Sequence, residues 1–249
     1  MRYRLTPLKN GECQVRNYIT YYGSDDRSTS TFYLYVWVIE GGERPMIVDT
    51  GPKDVEAFNS ATESYIPGGI RQTEAERTPE LLRAHGVDPL DVSHVFVTHL
   101  HPDHYEYFDL FSNAKMVVNG NGFLDGVLGI RRGVMKALAE RWPESIMLVG
   151  DEEVAPGVRT LWLGCHSPCS QAILVDTEIG CVALCGDFAY TFRNIEGNVP
   201  IGGVDPRAWH AAMSKLRGSD VLMPGHDPEI VKRWAIGSRL DLGSKRTSS

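Results

Sequence analysis

The amino-acid sequence predicts an α/β fold: a four-layer αββα sandwich in which two sheets pack together between outer helices. Two observations lead to it. Short apolar, β-branched runs, the pattern of strands that are covered on both faces, recur along the 249 residues. Each half of the chain also follows its strands with helical segments, although no close sequence repeat is visible. With 42% apolar and 23% charged residues, the composition is that of a globular protein with a substantial core.

In the first half, the predicted elements are strands at 13–22, 30–39 and 45–51, a helix at 73–85, and strands at 94–98 and 114–118. The first two strands alternate, are rich in Tyr, Val, Thr and Trp, and flank the polar turn 23–28, so we expect them to pair antiparallel. The third ends in Asp49 and Gly51, and residues 52–72 carry no clear period. Gly86 ends the helix.

The second half repeats this rhythm. Its predicted elements are strands near 146–149, 158–163, 171–176 and 180–185, a helix at about 206–217, and a strand at 221–224. Between the halves, residues 120–142 are expected to form a helical insert. We expect one domain over residues 1–236, followed by the polar tail 237–249.

Four potential metal ligands lie within six residues directly after the apolar strand 94–98, in His99-Leu-His101-Pro-Asp103-His104. His99 and His101, two residues apart, can hold one metal ion, and Asp103 and His104 can face a second ion nearby. Imidazole and carboxylate ligands suit zinc, and also iron, manganese or cobalt. The alternative, ordinary polar residues in a loop, would need three histidines and an aspartate to gather by accident.

Three further residues that carry chemistry each come just after an apolar strand: His166, Asp187 and His226. Alone, each is more typical of a cap or a turn, but their joint appearance in this order strengthens the prediction of a metal site. Five of the eight histidines are then used. The other three are expected at the surface or at helix ends: His85, His94 and His210.

The five cysteines do not indicate a disulfide framework, since their number is odd and the chain is long. Cys165 and Cys169 flank His166 and could add metal ligands. We favour reduced, half-buried thiols, because the ligand set is filled without them.

The combined pattern, from Asp49 through the histidine cluster to His226, resembles the metallo-β-lactamase superfamily over about residues 30–230. The resemblance implies an αββα sandwich of the metallo-β-lactamase type with two divalent metal ions, for which zinc is expected. The implied ligands are His99, His101 and His166 for the first ion, Asp103, His104 and His226 for the second, and Asp187 as the bridge between them. Asp49 would lie behind the ligands and fix their orientation.

Within that superfamily the chain most resembles the N-acyl-homoserine lactonases, which quench quorum sensing. Tyr190 follows the bridging aspartate by three residues, and residues 224–227 match the last-ligand segment. The stretch from 49–51 to the histidine cluster also has the length and layout of these enzymes. The resemblance implies a hydrolase of carboxylic esters that opens a lactone ring by attack of a metal-bridging hydroxide. Tyr190 would contact the substrate carbonyl, Asp187 would hold both metals, and Asp103 would help to pass a proton to the leaving oxygen.

Two departures from the family pattern leave the natural substrate open. Residues 105–108, Tyr-Glu-Tyr-Phe, replace small residues and glycine, and could narrow the approach to the second metal or form an aromatic wall. Cys165 and Cys169 stand where the family favours glycine, which restricts the backbone of that loop. The candidate pocket walls, for which core packing is at least as strong an alternative, are the strand 32–37, Phe58, Tyr65, Phe123 and Leu124.

Several other functions stay open on the sequence alone. A thioester hydrolase of the glyoxalase II type fits the same ligands, and a mononuclear iron persulfide dioxygenase would use a subset of them. The net charge of −7 and the lack of a basic, aromatic-studded stretch disfavour a nuclease and any nucleic-acid partner. A β-lactamase is disfavoured because no secretory signal is visible, and a non-catalytic scaffold because no ligand is missing.

The expected partner is a small lactone or ester. No apolar run approaches the ~20 residues that span a bilayer, so we expect no membrane association, and the lack of a secretory signal favours the cytoplasm. Dimers are common in the lactonase branch, so the resemblance also leads us to expect a homodimer.

Overall fold

The structure is a computed structural model and describes residues 2–122 and 144–233. The predicted tail 237–249 lies outside the described residues, as does the predicted insert 120–142 apart from its first three residues, which are helical. Within the described ranges, no helix is both long enough and apolar enough to cross a membrane.

Within the described residues, six strands form the first sheet, and their order across the sheet is their order along the chain. They are β1 (Arg4–Arg16), β2 (Thr29–Glu40), β3 (Met46–Val48), β4 (His94–Phe96), β5 (Lys115–Asn119) and β6 (Ile146–Val149). β1, β2 and β3 pair antiparallel, and the pairs from β3 to β6 are parallel. The predicted antiparallel pairing of the first two strands is therefore confirmed.

In the part of the chain that the structure describes, five strands form the second sheet, and all five come from the second half of the chain. They are β7 (Glu152–Ala155), β8 (Val158–Trp162), β9 (Gln171–Thr177), β10 (Gly180–Leu184) and β11 (Val221–Met223). Across the sheet the order is β11-β10-β9-β8-β7, and only the β10–β11 pair is parallel.

The described α-helices are short and lie between the strands or at their ends. They are α1 (Asn17–Thr20), α2 (Val55–Thr62), α3 (Thr78–His85), α4 (Pro102–Tyr105), α5 (Phe192–Glu196), α6 (Pro206–Lys215) and α7 (Glu229–Arg233). Gly86 ends α3 in the left-handed conformation, with φ of 79°, as the sequence predicts. Asp205 begins α6, and its side chain accepts a hydrogen bond from the backbone N–H of Arg207.

The strands bury both faces because the two sheets stack and helices cover their outer surfaces. On β2, Trp37 belongs to the cluster between the sheets, whereas its neighbour Val38 packs on the other side with Leu82 of α3. On β10, Ala183 packs on the outer side with Trp209 of α6. Neighbouring residues of one strand therefore both need apolar side chains. These layers are the predicted αββα sandwich.

Several elements differ from the sequence-based expectation. β1 starts at Arg4, before the predicted strand. A bulge between Lys9 and Gly11 breaks the alternation of buried and exposed side chains, so the strand pattern is clear in the sequence only after the bulge. Residues 17–20, expected as strand, form α1. The interval 52–72 contains α2, and the predicted helix 73–85 divides into a 3₁₀ turn at Glu74–Glu76 and α3.

Candidate metal centre

The predicted ligands come together because the strands that carry them end at one edge of the sandwich. β3 and β4 are parallel neighbours, as are β10 and β11, so the loops that follow each pair lie side by side. The loop between β8 and β9 and the short helix α4 complete the site. The residues gathered there are Asp49, His99, His101, Asp103, His104, His166, Asp187 and His226.

The first group of potential ligands consists of His99, His101, His166 and Asp187, whose ligand atoms all lie within 4.8 Å of one another. His101 Nδ1 is 2.8 Å from His99 Nε2 and 3.0 Å from His166 Nε2. Asp187 Oδ2 is 3.6 Å from His99 Nε2 and 3.4 Å from His166 Nε2. Three imidazoles and one carboxylate oxygen thus point into one small volume.

The second group, Asp103, His104 and His226, lies beside the first. His104 Nε2 is 3.5 Å from Asp103 Oδ2 and 3.3 Å from Asp187 Oδ1. His226 Nε2 is 2.8 Å from the same Asp187 Oδ1. Asp187 therefore turns one carboxylate oxygen toward each group.

Two divalent cations fit this donor set. Donor atoms held at ~2.0–2.2 Å by a tetrahedral ion lie about 3.3 Å apart, which is close to the separations in both groups. His104 Nε2 is also buried without a hydrogen-bond partner among the described residues. A buried polar atom left unpaired is costly, and a bound cation would satisfy this one.

Hydrogen bonds on the far side of two rings fix which nitrogen faces the site. Asp49 Oδ2 accepts a hydrogen bond from His104 Nδ1 at 2.8 Å, and the carbonyl oxygen of Tyr33 accepts one from His226 Nδ1 at 2.9 Å. With the proton on Nδ1, each ring presents the lone pair of Nε2 to the centre. Asp49, which has a left-handed φ of 58°, is held in turn by the N–H and hydroxyl of Thr98, both at 2.8 Å.

Burial keeps two histidines of the first group, His99 and His166, uncharged. It lowers the pKa of His99 well below the ordinary value, aided by the neighbouring His104, and it also lowers the pKa of His166. Both rings are therefore neutral at pH 7 and keep a lone pair for a metal ion.

The carboxylates of the centre stay ionised. Burial alone would raise the pKa of Asp187, but the imidazoles of His226 and His104 outweigh it and hold that pKa well below the usual range. For His104, burial acts to lower the pKa, yet the carboxylates of Asp103 and Asp49 raise it well above normal. The field at His104 Nε2 thus favours a positive charge, as a cation site requires.

Tyr190 stands beside both groups. Its ring centroid is 6.0 Å from those of His166 and His226, and its backbone carbonyl accepts the N–H of His226 at 2.9 Å. Burial, followed by the charge of Asp187, raises the pKa of Tyr190 well above its ordinary value. The phenol is therefore protonated at neutral pH and can donate a hydrogen bond.

A cavity of about 390 Å³ opens directly onto the two groups. Its polar end is formed by His101, Asp103, His166, Asp187, Tyr190 and His226. The remaining walls are mostly apolar side chains from β1, β2, α2 and the turn after α2, among them Val15, Phe32, Leu34, Phe58 and Ile66. None of the described residues that line it is a lysine or an arginine. The site suits a neutral molecule with one polar end and one apolar end.

Comparison with known proteins agrees with this geometry. The family model described as the metallo-beta-lactamase superfamily matches residues 31–226. The chain belongs to the metallo-beta-lactamase superfamily. The fold class predicted from the sequence is thereby confirmed.

Among the superfamily members similar to this chain are N-acyl homoserine lactonases. AiiA from Bacillus thuringiensis subsp. kurstaki is 30% identical over 213 residues, which are 82% of this chain and 84% of AiiA. A lactonase from Bacillus cereus is 29% identical over 209 residues, 80% of this chain and 83% of its own. One solved structure is an N-acyl homoserine lactone hydrolase with N-hexanoyl-L-homoserine bound at its catalytic metal centre. It matches with a TM-score of 0.81 and 26% identity, covering 95% of this chain and 98% of that one.

The predicted cavity walls are right in part. Phe32, Phe58 and Tyr65 line the cavity, whereas Tyr35 and Trp37 pack between the sheets. Phe123 and Leu124 lie outside the described residues.

The aromatic side chains of residues 105–108 do not form a wall of the cavity. Tyr105 and Phe108 pack in the core beside α3, and Tyr107 is buried without lining the cavity. Glu106 is the member of this stretch that reaches the cavity. The aromatic rings turn inward because they are the apolar side chains of a segment that lies on the first sheet.

The cysteines lie outside both ligand groups and are free. Cys169 is buried, and its Sγ accepts the N–H of Leu100 at 3.3 Å. Burial raises the pKa of Cys165 to about 11, so this thiol is protonated at neutral pH. Both side chains thus pack the loop around His166, in agreement with the interpretation as reduced thiols.

The three remaining histidines lie away from the ligand groups. His85 is 3.5 Å from Glu40, His94 stacks on Phe96, and His210 is exposed on α6. Two residues that shape the site were not predicted as part of it: Thr98 and the wall residue Cys13. Thr98 directly precedes His99, so a hydroxyl next to a ligand cluster is the signal that could have revealed it.

Proposed function

We propose that this protein is a dinuclear metal-dependent lactonase that hydrolyses N-acyl homoserine lactones or closely related neutral lactones. One observation carries the proposal: the two oxygens of Asp187 face two separate ligand groups at the polar end of an apolar cavity. The similarity to N-acyl homoserine lactonases over 82% of the chain supports it.

In this proposal His99, His101 and His166 would hold one ion, Asp103, His104 and His226 would hold the other, and both ions would share Asp187. Zinc is the proposed metal, since these donors at these separations suit it, and iron, manganese or cobalt would fit the same ligands. When bound, the ions would supply an activated water and polarise the carbonyl of an ester.

Side chains of the protein orient the lactone and transfer the proton that its leaving ring oxygen needs. The phenol of Tyr190, which keeps its proton, donates a hydrogen bond to the substrate carbonyl oxygen as that oxygen gains negative charge. Asp103 lines the cavity, and its carboxylate would accept a proton from the attacking water and pass it to the ring oxygen as the ester bond opens. Asp49 acts through His104, whose tautomer it fixes.

The cavity favours a neutral acyl lactone over an anionic thioester. A glutathione thioester carries two carboxylates, yet the described lining contains no lysine or arginine and includes the carboxylate of Glu106. An uncharged acyl chain would instead replace water along Phe32, Phe58 and Ile66. A volume of about 390 Å³ is that of a small-molecule site.

The test combines metal analysis with a substrate panel. Purified protein is assayed for bound metal and for hydrolysis of acyl-homoserine lactones of several chain lengths, simple γ- and δ-lactones, and S-lactoylglutathione. We expect about two ions per chain, preferential opening of acyl lactones, and loss of turnover in Asp187→Ala. Thioester cleavage alone, or one iron with oxygen uptake and no hydrolysis, would contradict the lactonase; normal lactone turnover by Asp187→Ala would contradict the bridging role.

We also propose a homodimer, by analogy with the lactonase branch, and a single domain over residues 1–236 with 237–249 as a tail. Sedimentation analysis and limited proteolysis test these two points. A cytoplasmic location stays a prediction from the sequence.

A further inference from the structure

Glu106 connects the segment that carries Asp103 and His104 to a wall of the cavity. It follows α4 directly, is half-buried and lines the cavity. Its Oε2 accepts two backbone hydrogen bonds, from Lys53 N–H at 2.7 Å and from Asp54 N–H at 2.9 Å. Both donors directly precede α2, and Asp54 is its N-cap residue.

The helix held by these bonds is weakly packed. Of the eight residues of α2, only Thr62 is buried. Ala57, Phe58, Ala61 and Thr62 nevertheless form part of the cavity wall. A short helix with so little buried surface has low local stability, so it depends on the contacts at its ends.

Those end contacts are few and can be identified. At the far end, Asn59 exchanges two hydrogen bonds with the backbone of Ile70, at 2.7 and 3.1 Å. At the near end, Glu106 holds the backbone, and Lys53 Nζ pairs with Asp109 at the exposed surface, 2.6 Å apart. Val55 at this end also packs against the apolar cluster that contains Trp209. A surface ion pair contributes little, so Glu106 supplies the main polar attachment of the near end.

We propose that Glu106 is a positioning residue that holds α2 against α4 and thereby sets the preference of the site for long apolar acyl chains. The proposal rests on the lactonase function. A lactone ring at the ligand groups needs no contact with α2, but an acyl chain that extends into the cavity lies against Ala57, Phe58 and Ala61. Loosening α2 therefore weakens binding of the chain and leaves the chemistry at the ring intact.

The experiment compares Glu106→Ala, Glu106→Gln and Glu56→Ala with the unaltered enzyme. Glu106→Ala removes both hydrogen bonds, whereas the amide oxygen of Glu106→Gln can accept the same two N–H groups. Glu56 is an exposed carboxylate in the first turn of α2, so Glu56→Ala controls for the loss of charge at this helix. The substrates are N-decanoyl-homoserine lactone and γ-butyrolactone, which has no acyl chain.

For Glu106→Ala we expect KM for the decanoyl substrate to rise about tenfold, with kcat within about twofold, which is the signature of binding lost equally from the bound substrate and the transition state. The kinetics of γ-butyrolactone should not change. Glu106→Gln should restore most of the decanoyl KM, and Glu56→Ala should match the unaltered enzyme. An unchanged decanoyl KM, or an equal loss for both substrates, would overturn the proposal.

Hydrogen–deuterium exchange of residues 53–62 tests the attachment without activity. We expect faster exchange there in Glu106→Ala than in Glu106→Gln or Glu56→Ala, with the rest of the chain unchanged. If the unaltered protein opens no lactone, the lactonase function fails, and the exchange data still decide whether Glu106 holds α2. Equal exchange in all variants would overturn that role.

Discussion

At the scale of single residues, the centre depends on which nitrogen of each imidazole carries the proton. Asp49 determines this for His104, because its side chain accepts a hydrogen bond from Nδ1 at 2.8 Å. The lone pair of Nε2 is then free to bind a metal ion. The same carboxylate takes both hydrogen bonds offered by Thr98, which places it firmly behind the ring. A buried side chain thus acts on the proposed metal site from behind one of its ligands.

We therefore expect Asp49→Asn to weaken the second metal position selectively. An amide offers one acceptor where the carboxylate offers two, so the Nδ1 tautomer of His104 is no longer enforced, and metal affinity should fall about 10–100-fold. Metal content after dialysis against a graded series of chelator concentrations measures this. Asp88→Asn is the control, since Asp88 only caps a 3₁₀ turn by accepting the N–H of Leu90. Retention of both ions at unchanged affinity would show that Asp49 does not fix the ligand.

A substitution at Tyr190 can separate the catalytic role of its hydroxyl from the packing role of its ring. Tyr190→Phe keeps the ring that packs 5.2 Å from Phe32 and removes only the hydroxyl. We expect kcat for lactones to fall by about 10²-fold, the usual effect of losing one donor to a developing oxyanion. Metal content should stay at the level of the unaltered enzyme. Unchanged kcat would exclude the hydroxyl from catalysis, and loss of metal would show a structural role instead.

At the scale of elements, the centre requires close contact between the ends of β10 and β11. A Cβ at Gly225 would lie 2.8 Å from the carbonyl oxygen of Gly186 and 3.3 Å from Asp187 Oδ1. Glycine at 225 thus lets the loop with His226 approach the loop with the proposed bridging ligand.

Gly225→Ala should push these two loops apart. Because the Cβ would meet backbone atoms that cannot move aside easily, we expect a loss of about 1–3 kcal/mol in the free energy of unfolding, together with weaker metal binding. Urea unfolding and metal analysis check both effects. Gly218→Ala is the matched control: a Cβ there meets nothing within 4 Å, so stability should change by less than about 0.5 kcal/mol. Equal stability of the two variants would contradict the close approach.

Strands that bury both faces were predictable from the sequence. Short helices that are fixed by hydrogen bonds from distant parts of the chain were not. β4 and β10 show as apolar runs because each lies between two covered layers. α2 leaves most of its side chains half-exposed or exposed, so its residues show no apolar period. α5 has five residues, too few to show a period, and depends on Asp227, which accepts the N–H of Phe192. Tertiary hydrogen bonds of this kind leave no local pattern.

At the scale of the whole molecule, the ligand groups were easier to predict than the cavity. The ligands belong to a few residue types in a fixed order after strands, which is a one-dimensional signal. The cavity arises where β1, β2 and α2 meet, and a residue such as Val15 looks like any other strand residue until these elements are assembled. Glu106 lies 53 and 52 residues along the chain from its two hydrogen-bond donors, Lys53 and Asp54.

The position of the centre between the two halves leads to a prediction about stability. His99, His101, Asp103 and His104 follow a strand of the first sheet, whereas His166, Asp187 and His226 follow strands of the second. Ions bound here would link both halves and, because the unfolded chain offers no such site, would stabilise only the folded state.

Removal of metal should therefore lower the thermal unfolding midpoint of the entire chain in one transition. An ion present at about 1,000 times its Kd adds ~4 kcal/mol, which corresponds to roughly 8–16 °C for a chain of this size. We expect a decrease of that order when a chelator is added, and recovery when zinc is returned in excess. Asp187→Ala should show a much smaller decrease, since both ligand groups lose their common carboxylate. Equal midpoints with and without chelator in the unaltered protein would mean that no ion links the two halves.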